Sequence, residues 1–320
     1  MRLFTSVDGI DLAPDRGRVV AIGVFDGVHR GHQRILAEAV ESAKEIGALS
    51  TAVTFYPHPE LVLRPKRKLR MLTSLERKAE LIEALGVDEL VVVKFDRAFA
   101  QLSAEAFCRL VLSHRLGARR VLVGENFRFG HRGIGTYADL RVYGTAHDFE
   151  VLSVALAEEG GEAISSTRIR KSISAGRVAD AARLLGRPHR IEGEVVHGAG
   201  RGRALKAPTA NLSVDAAMAI PRLGVYVTRS SVDGGPEGSS VTSVGTNPTF
   251  EADKKVRIET LLLDRVGDFY GARLAVDFLE RIRAQRVFPD GASLAARIKR
   301  DVEIARGYAD SRAATAAAGD

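Results

Sequence analysis

Two histidines three residues apart, His29 and His32, stand in the segment Gly23-Val-Phe-Asp-Gly-Val-His-Arg-Gly-His32. The segment follows an apolar run of buried-strand type, Val19–Phe25, and precedes a helical pattern. A helix N-terminus offers unpaired backbone N–H groups and the positive end of the macrodipole, so it suits an anion. Gly27 and Gly31 let a phosphate approach the backbone closely. Two imidazoles on that first turn point toward the same ligand. The competing reading gives the glycines to the turn and the histidines to the cap. For a lone histidine the cap is the better reading; for a pair at this spacing, the ligand is.

The elements around the segment define where it sits. Ile35, Leu36, Ala39, Val40 and Ala43 fall on one helix face, with Gly47 as the stop. A strand over Leu49–Phe55 leads into Tyr56-Pro57-His58-Pro59. A helix follows over Ser74–Leu85, opened by the Thr73 and Ser74 hydroxyls and closed by Gly86. Then come a strand over Glu89–Phe95, a helix over Ser103–Leu116 and a strand over Arg120–Gly124. Strands alternating with helices of this length predict βαβ units and a parallel sheet. Such sheets bind ligands at the carboxyl ends of their strands. Gly23-Val24-Phe25-Asp26, Phe55-Tyr56-Pro57-His58 and Gly124-Glu125-Asn126-Phe127 all fall on that rim.

The texture changes near Gly186-Arg187-Pro188. From Ile191 to about Phe278, short apolar runs separated by Gly, Pro, Asn and Asp predict a small antiparallel barrel or sandwich. A helix over Ser293–Ala305 follows, and the Ala-rich end, 306–320, reads as a flexible tail. The predicted division is therefore 1–186 and 187–305.

The 320 residues, 45% hydrophobic and 27% charged, suit two globular domains. No apolar run approaches the ~18 residues of a membrane span. The N-terminal stretch carries scattered charge and no signal-peptide core, so a soluble cytoplasmic protein is expected. The single cysteine, Cys108, rules out an internal disulfide and a cysteine-cluster metal site, and its helix places it in the core. Lys and Arg number 47 against 40 Asp and Glu, a formal charge of +7. That surplus admits nucleic acid, an anionic small substrate, or an Arg-rich solvated surface. Five basic residues lie between Arg64 and Arg70, without interleaved aromatics, which favours a solvated loop over a nucleic-acid site. No P-loop, GxGxxG, HExxH or GxSxG pattern occurs.

The histidine segment resembles the HxGH nucleotidyltransferase motif in its GxFDGxHxGH form. With Thr54–Pro59, Gly124–Gly130 and Ser165-Ser-Thr-Arg-Ile-Arg170, it is similar to the adenylyltransferase half of the prokaryotic bifunctional riboflavin kinase/FAD synthetase family. Pro208-Thr-Ala-Asn211, Val244–Phe250, Glu259-Thr260 and Asp268–Gly271 resemble the kinase half, in the family's order. The resemblance implies a Rossmann-like nucleotidyltransferase domain followed by a small β-barrel domain with a C-terminal helix. It implies that His29 and His32 act on the ATP phosphates, aided by Gly23, Phe25, Asp26, Gly31, Ser166, Thr167 and Arg170. It places the flavin or FMN against Phe55, Pro57 and Asn126. In the second half it implies Thr209 and Asn211 as Mg²⁺ ligands and Glu259 as general base. The strand alternation around Glu259 also fits a carboxylate facing solvent. The implied substrates are ATP, riboflavin and FMN, with FAD as product; neither nucleic acid nor a membrane is an implied partner, and oligomeric state is left open.

Two departures stand out. Family members usually read LGFPTAN, whereas this chain has Lys206 and Ala207 before Pro208; Ala163 also replaces a residue that is often basic. They support an alternative: a paralogue whose kinase half is impaired or whose acceptor has changed. A basic nucleic-acid-binding protein on the same scaffold is the more distant alternative.

Overall fold

Valine-rich runs between amphipathic helices build the first half around a parallel sheet. The computed structural model describes residues 1–6, 16–197, 209–246, 256–265 and 267–317. The chain divides into two units, Met1–Ser166 and Thr167–Asp320. In the first, β1 (Arg2–Phe4), β2 (Arg18–Ile22), β3 (Leu49–Tyr56), β4 (Glu89–Lys94), β5 (Ala118–Gly124) and β6 (Glu150–Val154) form one sheet. The strand order is β1-β4-β3-β2-β5-β6, and every pairing is parallel. The order reverses at β2, with β3 and β4 on one side and β5 and β6 on the other. The crevice at the carboxyl ends of β2 and β5 is thus the favoured ligand position of this architecture.

Alternation along β2 serves both faces. Val19 and Ala21 pack with Leu36, Ala39, Val40 and Ala43 of α1 (Arg30–Ile46), and with Ile82. Val20 and Ile22 pack with Phe107, Cys108, Val111, Leu112 and Leu140 on the other face. Each buried Val, Leu, Ile or Phe side chain among them contributes about 1.5–3 kcal/mol. Helix α1 stops at Gly47, which takes φ +64°, the left-handed conformation a glycine accepts without a Cβ clash. After α2 (Pro59–Leu63), Ser74 caps α3 (Leu75–Glu83) by accepting the Arg77 N–H. The helix expected over Ser103–Leu116 begins as α4 (Ala104–Ala106) and continues as a π-helical stretch, Phe107–Arg115. Cys108 lies in the core, where burial pushes its thiol up to about 12.

The sequence pattern did not mark α5 (Tyr137–Ala146), which carries a glycine, Gly144, in its last turn. The glycine has a packing cause: a Cβ on Gly144 would stand 2.6 Å from the Phe149 carbonyl oxygen. A two-residue hairpin, β7 (Glu158–Glu159) with β8 (Glu162–Ala163), closes this unit.

The second unit starts with α6 (Ser166–Ser174, whose first residue belongs to the first unit) and α7 (Val178–Leu185). It continues with β9 (His189–Val196), β10 (Thr209–Ser213), β11 (Gly224–Val232), β12 (Gly238–Thr246), β13 (Val256–Leu262) and β14 (Arg273–Arg283). These six strands form a closed antiparallel barrel in the order β10-β13-β12-β11-β14-β9. Val178 of α7 packs with the barrel's interior residues, Tyr226, Leu274 and Phe278 among them, which joins α7 to this unit. Inside, Thr228, Ser240, Thr242 and Thr260 are fully or almost fully buried and bond to one another at 2.8–3.0 Å, so their hydroxyls are satisfied without water. Helix α8 (Gly291–Ala317) covers Val225, Val227 and Val241 with Ala305, Val302 and Tyr308. It runs past the predicted end at Ala305 and replaces most of the expected tail, since alanine is the strongest helix former. Lys206, Ala207, Pro208, the Gly198–Arg203 segment and Asn247–Phe250 lie outside the described residues.

Candidate active site

The apolar run after Arg18 ends as a strand at Ile22, and the residues beyond it form a strained turn. Phe25 has φ +50°, Gly27 φ +83° and Val28 φ +39°. Left-handed backbone at a bulky or β-branched residue costs on the order of 1–3 kcal/mol and persists only when the surroundings hold it. Phe25 is therefore not the strand end that the run predicts. It is the buried plug of the turn, fully enclosed beside Val28.

The surroundings hold this turn with named bonds. The Asp26 carboxylate, buried, accepts the Leu72 N–H at 3.0 and 3.2 Å and the Thr73 N–H at 3.3 Å. The Gly27 N–H donates to Thr73 Oγ1 at 3.2 Å. Ser166 donates its hydroxyl to the Asp26 carbonyl at 3.0 Å. Lys78 Nζ donates to the Val24 carbonyl at 2.8 Å and lies 3.3 Å from Thr54 Oγ1, which itself donates to Val24 at 2.9 Å. Burial pushes the Lys78 ammonium down to about 8, with the Asp26 charge opposing the shift.

His29 then caps α1. Its Nδ1 accepts the His32 N–H at 3.3 Å, which leaves the proton of a neutral ring on Nε2, the kind of donor that phosphate oxygens take. The His29 and His32 rings stack with centroids 3.5 Å apart and planes at 18°. Phe25 meets His32 edge-on at 5.3 Å. Gly31 leaves room for the His29 ring, since a Cβ there would stand 3.2 Å from Nδ1 and the ring would have to give. Gly23 is more tightly constrained, with the Phe25 ring 2.7 Å from its hypothetical Cβ. The cap and the ligand readings of the histidines are thus compatible, because His29 caps α1 through Nδ1 alone.

The other rim residues cluster on the neighbouring strands. Phe55, at the end of β3, packs with Phe95 and Phe99 at 5.8 and 6.1 Å, and the Tyr56–Pro57 bond is cis. Asn126, exposed, lies in the turn after β5 closed by the Phe127 N–H to the Gly124 carbonyl. Phe127 stacks on Phe129 at 5.6 Å. Thr167 and Arg170 lie on α6, Thr167 exposed and Arg170 half-buried.

In the barrel, register brings the remaining candidates together. Asn211 on β10 stands directly opposite Glu259 on β13, and Glu259 faces Ser243 of β12 on its other side. Thr209 and Asn211 are alternate residues of one strand, so they share its face. Ala210, Leu212 and Ile258 point into the barrel; Thr209, Asn211 and Glu259 therefore lie on its outer face, all half-buried. The Thr209 hydroxyl and the Asn211 amide oxygen are hard donors of the kind that fit Mg²⁺. Among the described residues no group of three His, Cys, Asp or Glu forms a denser metal site. Nearby, His197 packs on Tyr270 at 3.8 Å.

Comparison with known proteins finds relatives for both units. The FAD synthetase family model matches residues 12–168 and the riboflavin kinase model residues 185–309. A Listeria monocytogenes bifunctional riboflavin kinase/FMN adenylyltransferase is 37% identical over 92% of this chain and 93% of its own. The chain belongs to that family. An Escherichia coli K12 protein of the same description is 35% identical, over 96% of this chain and 98% of its own. A Streptococcus pneumoniae crystal structure, described as a macrolide-efflux protein, is 32% identical with TM-score 0.86, covering 95% of this chain and 98% of that one. Among the described residues of this chain, no helix is long and apolar enough to cross a membrane.

Sequence reading missed Lys78, Leu72, Thr73 and Thr54 as supports of the histidine turn. A signal for Lys78 existed. It stands four residues before Ile82 on the buried face of α3, a place where the helical period calls for an apolar residue.

Proposed function

We propose that the first unit transfers the adenylyl group of ATP to FMN and that the second phosphorylates riboflavin, so that the chain converts riboflavin to FMN and FMN to FAD. The observation that carries the first half is the stacked His29–His32 pair at a helix N-terminus beside the point where strand order reverses. In adenylyl transfer an FMN phosphate oxygen attacks the α-phosphorus of ATP. A P–O bond forms there as the bond to the β-phosphate bridge breaks, and pyrophosphate leaves. Such a reaction asks the protein for positioning and for donors to oxygens gaining charge. Imidazole N–H groups and the N–H groups of α1 supply both. Gly23 and Gly31 allow close approach, and Phe25 and Asp26 shape the turn. Ser166, Thr167 and Arg170 are assigned to the ATP phosphates, where a guanidinium binds bidentately. Phe55, Pro57 and Asn126 are assigned to the flavin side.

In the second unit the riboflavin 5′-hydroxyl attacks the γ-phosphorus of ATP, its proton passes to Glu259, and ADP leaves. Thr209 and Asn211 would hold Mg²⁺, which neutralises phosphate charge when bound. The Asn211–Glu259 register supports this assignment, since it sets a carboxylate beside the proposed ligand face. We assign residues 1–186 to adenylyl transfer and 187–305 to the kinase, with soluble flavins and ATP as the partners and no nucleic acid.

Purified protein incubated with riboflavin, ATP and MgCl₂, and separately with FMN, ATP and MgCl₂, is the test. FMN and then FAD, with pyrophosphate released, are expected. FAD from FMN without phosphorylation of riboflavin would establish the impaired-kinase alternative instead, and no FAD from folded protein would remove the adenylyl-transfer reading.

A further inference from the structure

Lys78 is an ammonium placed where desolvation works against it. It is 3% exposed and lies on the buried face of α3. A methionine there would fill similar space without the cost of removing a charge from water. What the ammonium does is specific. Val24, between Gly23 and the left-handed Phe25, turns its carbonyl to Lys78 Nζ and Thr54 Oγ1 together. The residues that lead into the same helix, Leu72 and Thr73, hold Asp26 and Gly27. One continuous segment, Leu72 through Lys78, therefore grips the strained turn at three successive points, Val24, Asp26 and Gly27. The turn ends on His29. A carbonyl that lost its charged donor would leave Phe25 and Val28 to relax toward ordinary backbone, and the imidazoles would move with them.

We propose that Lys78 is a positioning residue for adenylyl transfer: through the Val24 carbonyl it fixes the turn that aims His29 and His32. The proposal rests on the adenylyl-transfer reading of the first unit. Lys78 makes no contact with the reacting atoms in this scheme, and its effect falls on the transition state through geometry. Misplacement by a fraction of an ångström to one ångström is enough to cost tenfold to a hundredfold in turnover.

The test uses the full chain, with FAD formation from FMN, ATP and MgCl₂ and riboflavin phosphorylation measured on the same preparation. Lys78→Met should lower kcat for FAD formation at least tenfold while KM for ATP stays within threefold and riboflavin phosphorylation within twofold. Lys78→Gln, which keeps an N–H donor, should recover part of the loss. An unchanged kcat in Lys78→Met overturns the proposal, as does a raised KM for ATP with kcat intact, which marks a ligand contact. If Lys78→Met loses both activities together, Thr54→Val decides. It removes the other donor to the same carbonyl: a selective fall in FAD formation supports the proposal, and none overturns it. A parent protein that forms no FAD fails the underlying reading, and that failure is visible before any variant is made.

Discussion

His29 and His32 lie ring on ring, 3.5 Å between centroids, while Nδ1 of the first accepts the backbone N–H of the second. Their positions are mutually dependent, because moving either ring disturbs both the stack and the cap. Groups that act as a unit show non-additive losses. Each single substitution, His29→Ala or His32→Ala, should lower kcat for FAD formation by about 10²-fold or more. The double variant should be little worse than the poorer single one. Losses that multiply across the two sites would mean the imidazoles act independently. His29→Ala should also lose the cap, about 0.5–2 kcal/mol of stability, read in thermal melts.

Gly31 separates activity from stability. An alanine in the first turn of α1 gains helix propensity over glycine, at most about 1 kcal/mol. Its Cβ would press on His29 Nδ1 at 3.2 Å, and the ring would have to give by a few tenths of an ångström. Gly31→Ala should therefore melt no earlier than the parent yet form FAD about tenfold more slowly. Full activity in this variant would show that the His29 ring position is not critical.

The parts of the site legible in the sequence were those encoded by short local patterns. A glycine-punctuated strand-to-helix junction with two histidines has one chemical reading that dominates, and His29 and His32 fall together in space because they are neighbours on one helical turn. Glu259 and Asn211 could each be singled out, but their direct opposition is a fact of register, and register across a barrel is set by the packing of six strands. Phe25 was misread as a strand end because an apolar run carries no mark of where φ changes sign. Lys78 was passed over for the same kind of reason: its partner, the Val24 carbonyl, is a backbone atom 54 residues away.

Glu259 gives a test confined to the second activity. The proposed general base would account for about 10²–10⁴-fold in rate, and glutamine keeps its shape without its basicity. Glu259→Gln should lower riboflavin phosphorylation by that factor and leave FAD formation from FMN unchanged. Its half-buried place on the outer face of β13 makes a large loss of stability unexpected. Equal riboflavin phosphorylation in parent and variant would return Glu259 to the role of a solvent-facing strand residue.

His189 couples the stability of the second unit to pH. It is 1% exposed at the start of β9, and its Nε2 lies 2.7 Å from the Ala219 carbonyl oxygen, to which it donates. Burial pushes it from about 6.5 down to about 4; Arg187 adds to the fall, while the Ala219 bond and Asp277 oppose it. The folded value lies below the unfolded one, so between these two pH values the unfolded chain binds more protons. The stability that His189 contributes is complete above pH 6.5 and is lost as pH falls toward 4, to a limit of roughly 3 kcal/mol. His189→Gln keeps an N–H donor for Ala219 and removes the titration. Melts of the two proteins, followed by retained riboflavin phosphorylation from pH 7 down to 4, should diverge below about pH 6.5, the parent falling more steeply. Parallel curves over that range would place the proton uptake elsewhere in the barrel.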